Sequence, residues 1–519
     1  MSDPRAADCA AAIVAAFARY NAEFRAITRR APERFENRDW SGSQADVVER
    51  LELYATAVNA TVADMRKRLG DAAHDTALWA GIKADYLRRI ESLADPEFLK
   101  TFFSSITRKL FDTIGVDPDV EFFALELDPL RGASTENLTE RYVNRGSLDL
   151  LFEELLSDYR FRTPWRDFES SVGHVTADVE LRLKSLGETR PLREIEVIRP
   201  VFYQLSRAYL VGRLHGEGWT LPIAIAFRNS PLGVLVDAVM LAVADVSILF
   251  SFTRSYFHVD LERVSDAVLF LHAIMPAKPV SELFTVLGRA KQGKTERFRE
   301  IFRHLGSTSD RFVRAPGERG LVMACFALEN ADVIFKVIRD RFPAVKNVRR
   351  EEVMAKYDMV FRHDRAGRLV DAQEFRRIRL PKGRFAPDML ERAADRVRPE
   401  RAAGRRGPDR RARLHRTADD PAQSLYPQRL ARAGGVRGDR LRPGDPRPRL
   451  HEYLRRRPAA QEFRRDAPQP RDLLRLRRTV PGDRLPLPRR AARRPPTRTR
   501  CGRRAGSTSA RTTCSRRPS

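Results

Sequence analysis

One boundary limits what this chain can fold into: near residue 400 its composition changes abruptly. From Arg471 to Arg500 it reads RDLLRLRRTVPGDRLPLPRRAARRPPTRTR, with eleven arginines and no lysine. Residues 401–519 hold 35 Arg, no Lys and only 10 Asp plus Glu, a net charge of +25, along with 15 prolines. The 519-residue chain as a whole carries +27, so residues 1–400 carry only +2. A strong positive charge would ordinarily suggest a polyanionic partner. Here the body is near-neutral and long enough for a large core, and the charge sits in a tail too poor in apolar residues to offset chain entropy.

Within the body, Ile13, Phe17, Tyr20, Phe24 and Ile27 continue at helical spacing through the apolar stretch CAAAIVAAFA, so that stretch reads as an amphipathic helix and not as a signal peptide. Val47, Leu51, Tyr54, Val58, Val62, Met65 and Leu69 place one apolar stripe on a second helix. Residues 1–130 therefore read as mostly helical, packed as a bundle. Residues 190–310 also read as largely helical, with strands near Leu221–Phe227 and Leu232–Val236. The longest apolar run, PLGVLVDAVMLAVADVSILFSF, contains Asp237 and Asp245. Each carboxylate would cost roughly 2.5–3.5 kcal/mol at mid-membrane depth, so the run is expected to be a buried strand and helix, with no membrane involvement. Cys9, Cys325, Cys501 and Cys514 show no metal-ligand spacing, which implies neither a zinc site nor a disulfide framework and leaves a reducing, cytoplasmic setting as the expectation.

Two segments combine glycine with lysine. GRAKQGKT, Gly288 to Thr295, matches the phosphate-loop pattern, in which Gly293, Lys294 and Thr295 would cradle phosphates and hold magnesium. The opposing reading is a single helix from Ser281 to Leu305 that matches by chance; no alternating strand–helix pattern follows to build the sheet such a loop needs. The second segment begins at Arg311. RFVRAPGERGLVMACFALENADVIFKVIRDRF reads as strand, Gly-containing turn, strand, tight turn at Glu329–Asp332, and strand. A helix is expected from about Arg349 to Arg362. A glycine turn followed by a strand lysine, here Lys336, is the layout of a protein-kinase small lobe. A lysine within VIFKVI needs an anionic partner if buried. It can equally be a solvent-facing strand residue. Asp371 opens DAQE, which by itself reads as a helix cap with Glu374 three residues on.

RAPGERGLVMACFAL, VIFKVIRDRF, HDRAGRLVDAQEF and, upstream, SFTRSYF resemble the isocitrate dehydrogenase kinase/phosphatase family over residues 1 to about 395. The resemblance implies an α+β architecture. A mostly helical regulatory domain (1–310) would be followed by a kinase-like ATP-binding lobe of antiparallel strands plus a helix (311–395), then a disordered tail (396–519). It implies a bifunctional ATP-dependent serine kinase and phosphoprotein phosphatase acting on isocitrate dehydrogenase, controlling flux between the tricarboxylic acid cycle and the glyoxylate bypass. The implied ligands are ATP and ADP with Mg2+, and AMP as an effector. The implied ATP contacts are Ala315, Pro316, Gly317, Glu318, Arg319, Gly320, Leu321 and Lys336. The resemblance also makes Asp371 the catalytic aspartate and places Gly288–Thr295 outside the nucleotide site.

The family continues past residue 400 with a large lobe whose catalytic loop carries an Asp and, five residues on, an Asn, followed by a metal-binding Asp. No such motif follows Glu400 here. Arg, Pro, Ala and Gly in bulk are what GC-rich DNA yields in the wrong frame. Permitted codons for Tyr453 through Arg478, read one base later, give IFAGDLLLKNFGVTRHNRVIFYDYD. Arg413 to Leu425 treated alike give VYIERRMTPLNL. Both strings resemble the family, in the right order and the same frame. The expectation is a frame change between roughly Leu390 and Arg411, which removes the large lobe's base and magnesium ligands. A selected nucleic-acid-binding arm would instead mix lysine with arginine and interleave aromatics.

Overall fold

The computed structural model describes residues 3–113, 115–122, 129–188, 190–251, 257–317, 322–331, 333–338, 349–363, 373–376, 378–389 and 424–429. The first part is helical: α1 (Pro4–Thr28), α2 (Ala31–Glu36), α3 (Trp40–Leu69), α4 (Thr76–Ile90) and α5 (Pro96–Phe111). Each apolar stripe turns inward. Ile13, Phe17, Tyr20 and Phe24 of α1 meet Tyr54, Val58 and Met65 of α3, Trp79 and Ile82 of α4, and Phe98 and Phe102 of α5 in one core. Its aromatic rings meet edge-on, as between Phe17 and Phe98 (5.4 Å, 79°) and between Tyr20 and Tyr54 (5.4 Å, 90°). Each such buried side chain contributes about 1.5–3 kcal/mol from area removed from water.

The α3 stripe holds from Tyr54 onward but not before it. Leu51 is 37% exposed and Val47 half-buried, whereas Asp46 and Arg50 are buried. The reason is electrostatic. Asp46 accepts hydrogen bonds from Arg30 Nη1 and Arg34 Nε, each at 3.0 Å, so the first turns of α3 dock on charge at the α2 corner.

The region from 139 to 240 departs furthest from expectation. It forms a six-stranded antiparallel sheet: β1 (Thr139–Val143), then β2 (Leu192–Ile198), β3 (Phe202–Gln204), β4 (Arg207–Gly216), β5 (Trp219–Ser230) and β6 (Gly233–Met240). Helices α6 (Leu148–Asp158) and α7 (Phe168–Ser185) lie between β1 and β2 in sequence. The order is β1-β2-β4-β5-β6, with β3 paired to β4. Only β5 and β6 match the two expected strands. This sheet is covered on both faces. Ile195, Leu210, Ile225 and Phe227 pack with α6 and α7 residues such as Phe152 and Val175. Tyr209, Val211, Ala224 and Ala226 pack on the other side with α8 (Val243–Leu249) and α9 (Val264–Ile274). Strands buried on both faces lose the period-two signal, so their sequence does not distinguish them from buried helix. Gly233 ends the β5–β6 turn at φ +119°, and a Cβ there would lie 2.5 Å from the Pro164 carbonyl oxygen, so both conformation and space require glycine.

The long apolar run is β6 followed by α8, as its two carboxylates required. Asp237 is buried and paired with Arg207 at 3.2 Å. Among the described residues no helix is long and apolar enough to cross a membrane.

Two helices, α10 (Val280–Val286) and α11 (Ala290–Ser307), lead into the last module. It comprises β7 (Phe312–Arg314), β8 (Met323–Leu328), β9 (Val333–Ile338), α12 (Arg350–His363), β10 (Phe375–Arg376) and β11 (Ser424–Arg429), in sheet order β10-β11-β9-β8-β7. The three strands and the helix expected after Arg311 are all present. Strand β11 lies in the tail and pairs antiparallel with β9, from Leu425 opposite Val337 to Arg429 opposite Val333. Those six residues extend the sheet along the open edge of β9, which offers ladder groups to an extended segment. The rest of the tail lies outside the described residues.

Candidate functional site

The glycine–lysine match at 288–295 is a helix–turn–helix element. LFTVL, expected as a strand if the phosphate loop were real, belongs to α10; the single-helix alternative is also wrong, because the chain turns between α10 and α11. Gly288 N–H donates to Thr285 O (3.0 Å) and Arg289 N–H to Phe284 O (2.9 Å), with Gly288 at φ +86°. That bond pair is the glycine-terminated Schellman ending of α10. Gly293 lies inside α11, where a Cβ would meet Ser281 O at 2.4 Å, so this glycine lets two helices touch. Lys294 Nζ sits 5.0 Å above the Phe375 ring, and Thr295 Oγ1 donates to the Lys291 carbonyl (3.1 Å). Burial, reinforced by the Lys291 ammonium, pushes Lys294 down to about 7. The three residues have packing roles and form no loop.

The second segment builds a different object. Strand β7 ends at Arg314, Ala315 N–H donates to Cys325 O on β8 (3.4 Å), and the chain turns through Pro316 and Gly317, the latter at φ +106°. A Cβ on Gly317 would meet nothing within 4 Å, so its constraint is conformational. Glu318, Arg319, Gly320 and Leu321 lie outside the described residues, as does Asp371. Strand β8 returns and pairs with β9, with Cys325 opposite Lys336 and Met323 opposite Ile338. Side chains two residues apart share a sheet face, so Lys336 lies on the same face as Ile338 and Met323. That face is covered by α12: Val353 packs on Ile338, and Tyr357 OH donates to Met323 Sδ (3.4 Å). Lys336 itself is half-buried.

The opposite face of this sheet is apolar. Phe326 and Phe335 stack at 5.1 Å and 9°, Phe312 meets Phe335 edge-on at 5.5 Å, and Ile301 and Leu305 of α11 close the cluster. One buried face and one lysine-bearing face fix the register of β9, since a one-residue slip would bury Lys336 in the phenylalanine cluster. Asp310 pins the base of the module. It accepts from Asn330 Nδ2 (2.8 Å) and pairs with His304 Nε2 (2.6 Å), and these hydrogen bonds, Asn330's first, hold its carboxyl below the usual range. Nothing in the sequence pattern marked Asp310.

The expected helix cap at DAQE is corrected: Glu374 is followed by strand β10, and its carboxylate takes the Arg376 guanidinium at 2.7 Å. A second group escaped the sequence reading. Glu296 and Arg299, both buried in α11, pair at 2.6 Å, and Arg299 reaches Glu97 of α5 at 3.1 Å. Burial outweighs Arg299 and raises the Glu296 carboxyl to about 7.

An antiparallel sheet with a glycine turn after its first strand, a lysine on its third and a helix packed on the lysine face define the small lobe of a protein kinase. Comparison with known proteins agrees. Residues 10–309 match the family model described as isocitrate dehydrogenase kinase/phosphatase (AceK), regulatory domain, and residues 310–401 match its kinase domain. An isocitrate dehydrogenase kinase/phosphatase from Anaeromyxobacter sp. (strain Fw109-5) is 45% identical over 407 residues, covering 78% of this chain and 71% of that relative. Its counterpart from Xanthomonas euvesicatoria pv. vesicatoria (strain 85-10) is 42% identical over 392 residues, 75% of this chain and 68% of the relative. The chain belongs to the isocitrate dehydrogenase kinase/phosphatase family.

Proposed function

We propose that this chain carries the regulatory region and the nucleotide-binding half of a cytoplasmic, ATP-dependent serine kinase and phosphoprotein phosphatase whose protein substrate is isocitrate dehydrogenase. ATP and ADP would bind with their phosphates against the turn Ala315–Leu321 and the Lys336 ammonium, and AMP would act on the regulatory region. The observation that carries the reading is Lys336. It stands on the middle strand of the sheet, follows a turn that holds Gly317 at positive φ, and shares its face with the packed helix α12.

Phosphoryl transfer asks little covalent chemistry of a protein and much charge placement. Lys336 and the backbone N–H groups of the turn would neutralise charge that develops on the phosphoryl oxygens. Asp371 would handle the proton of the attacking serine, or activate water in the phosphatase direction. Magnesium, where present, supplies further charge neutralisation. Among the described residues no group of three or more His, Cys, Asp and Glu side chains could hold a metal ion, and no step is routed through magnesium. The large-lobe residues that would complete the site are those replaced by the frame change proposed between Leu390 and Arg411. For that reason the 519-residue polypeptide is expected to transfer little or no phosphate.

Calorimetric titration of the chain with ATP tests the assignment. Lys336→Ala is expected to weaken ATP binding at least tenfold, while Lys294→Ala leaves it unchanged. Equal affinity in the native chain and Lys336→Ala, or loss only in Lys294→Ala, would overturn it.

A further inference from the structure

Away from the kinase module, a cavity of about 620 Å³ opens between the turn joining α4 to α5, the start of α9 and the start of α11. One of its lining residues, Arg289, is only 4% exposed. Arg289 Nη2 donates to Asn21 Oδ1 (2.7 Å), and the guanidinium carbon lies 4.5 Å from the Phe24 ring centre and 4.9 Å from that of Phe98. The Tyr20 hydroxyl lies close beside the same guanidinium, but Arg289 Nε and Nη1 make no well-aligned hydrogen bond, and no carboxylate among the described residues lies within ion-pair distance. A second buried guanidinium, Arg50, sits 4.3 Å from the same Phe24 ring. A buried lysine could shed its proton in such a place; an arginine cannot, and an uncompensated buried cation is costly.

Of the three acids that line the cavity, Asp95 and Glu97 are committed elsewhere and Glu91 is exposed and makes no ion pair with Arg289. Asp95 accepts from Val264 N–H (2.7 Å), Ser265 N–H (3.1 Å) and Ser265 Oγ (2.6 Å) at the start of α9. Glu97 is held by Lys100 (2.6 Å) and Arg299 (3.1 Å). At the rim, Arg131 is exposed and makes no ion pair among the described residues. The remaining wall is largely apolar, with Ile90, Pro96, Phe98 and Phe284. A concave, mostly apolar space with a few convergent polar groups is the usual form of a small-molecule site, and its volume falls in the usual range.

We propose that this cavity binds a small organic anion, a phosphate ester or a polycarboxylate, whose oxyanion group takes the two unused N–H donors of Arg289 while Arg131 meets the ligand at the mouth. The planar fork of a guanidinium matches both oxyanions. Because the cavity is built from α4, α5, α9 and α11, an occupant would tie the helical core to the helix that carries Ile301 and Leu305 into the kinase module.

The test uses the full chain, dialysed free of polyanions, with sodium phosphate and sodium citrate as separate probes against sodium chloride at matched ionic strength. A saturable rise in melting temperature is expected with at least one probe and not with chloride. Which probe acts distinguishes the phosphate source from the carboxylate source. Arg289→Met should melt higher than the native chain in polyanion-free buffer, since it removes an uncompensated charge, and should lose the probe-dependent rise. Arg131→Ala, a surface change, should weaken the apparent affinity about tenfold, and keeps the test decisive if Arg289→Met does not fold. Absence of saturable stabilisation by both probes in the native chain would overturn the proposal. So would retention of full affinity in both variants.

Discussion

Gly288–Thr295 and Ala315–Lys336 both set glycine and lysine at spacings that suggest a phosphate cradle, and they fold into opposite things. In the first, each glycine answers a local packing need: Gly288 closes α10 and Gly293 lets α10 touch α11, while Lys294 turns inward over Phe375. In the second, Gly317 answers a conformational need at positive φ, and Lys336 sits on a sheet face held in register by phenylalanines on the other side. A short pattern states which residues are present; what precedes and follows it decides whether their backbone amides can converge on a ligand. Helix before and after removes that possibility, whereas strand before and after creates it.

The comparison can be broken most sharply by activity. In a chain with the frame restored, Lys336→Ala should lower the rate of phosphoryl transfer to isocitrate dehydrogenase by about 10²–10³-fold, the usual loss for one preorganised charge-stabilising group. Lys294→Ala should leave ATP affinity unchanged in the same preparation. A steady-state kinetic series with both variants checks this, and a reversed order would return the phosphate-loop reading to contention.

The glycines separate next. Gly293→Ala forces a methyl against Ser281 O and should cost about 1–3 kcal/mol in urea unfolding, as overpacking does. Gly317→Ala meets no neighbour and should cost about 1–2 kcal/mol, from its left-handed backbone alone. If Gly317→Ala were neutral, the turn would not need its observed φ.

Smaller effects lie in pH dependence, where the two α11 groups act oppositely. Glu296 has its folded pKa raised to about 7, so the unfolded chain releases that proton first and stability falls as pH rises from about 4.5 to 7. Lys294 has its folded pKa lowered to about 7, so the unfolded chain holds the extra proton and stability climbs from pH 7 towards 10.5. Glu296→Gln should flatten the first slope and Lys294→Met the second, read from melting temperatures across pH 4–10. Unchanged slopes would mean that neither group is as enclosed as its surroundings imply.

How much of this was legible depends on how each element is covered. Helix α1, the second half of α3, strands β7 to β9 and helix α12 were readable from period and turn signals. Strands β1 to β4 were not, because both faces of their sheet are covered; β5 and β6 of the same sheet showed only as continuous apolar runs. The start of α3 misled for the reverse reason: its buried positions are Asp46 and Arg50, which no apolar periodicity registers. Within the candidate site the glycine turn and Lys336 stood out by spacing, while the Asp310 anchor and the Arg289 cavity depend on contacts between residues distant in sequence. Asp371 was assignable only through the family resemblance, since DAQE alone suggests a helix start that the structure replaces with β10.

The central proposal is that a frame change near residue 400 deprives this chain of the family's phosphoryl transfer. Phosphate transfer from radiolabelled ATP to isocitrate dehydrogenase, measured side by side for the 519-residue chain and a chain with one base removed between the codons for Leu390 and Arg411, which restores the frame, tests it directly. The account predicts robust transfer by the restored chain and little or none by the chain as it stands. Comparable transfer by both, or none by the restored chain, would contradict it.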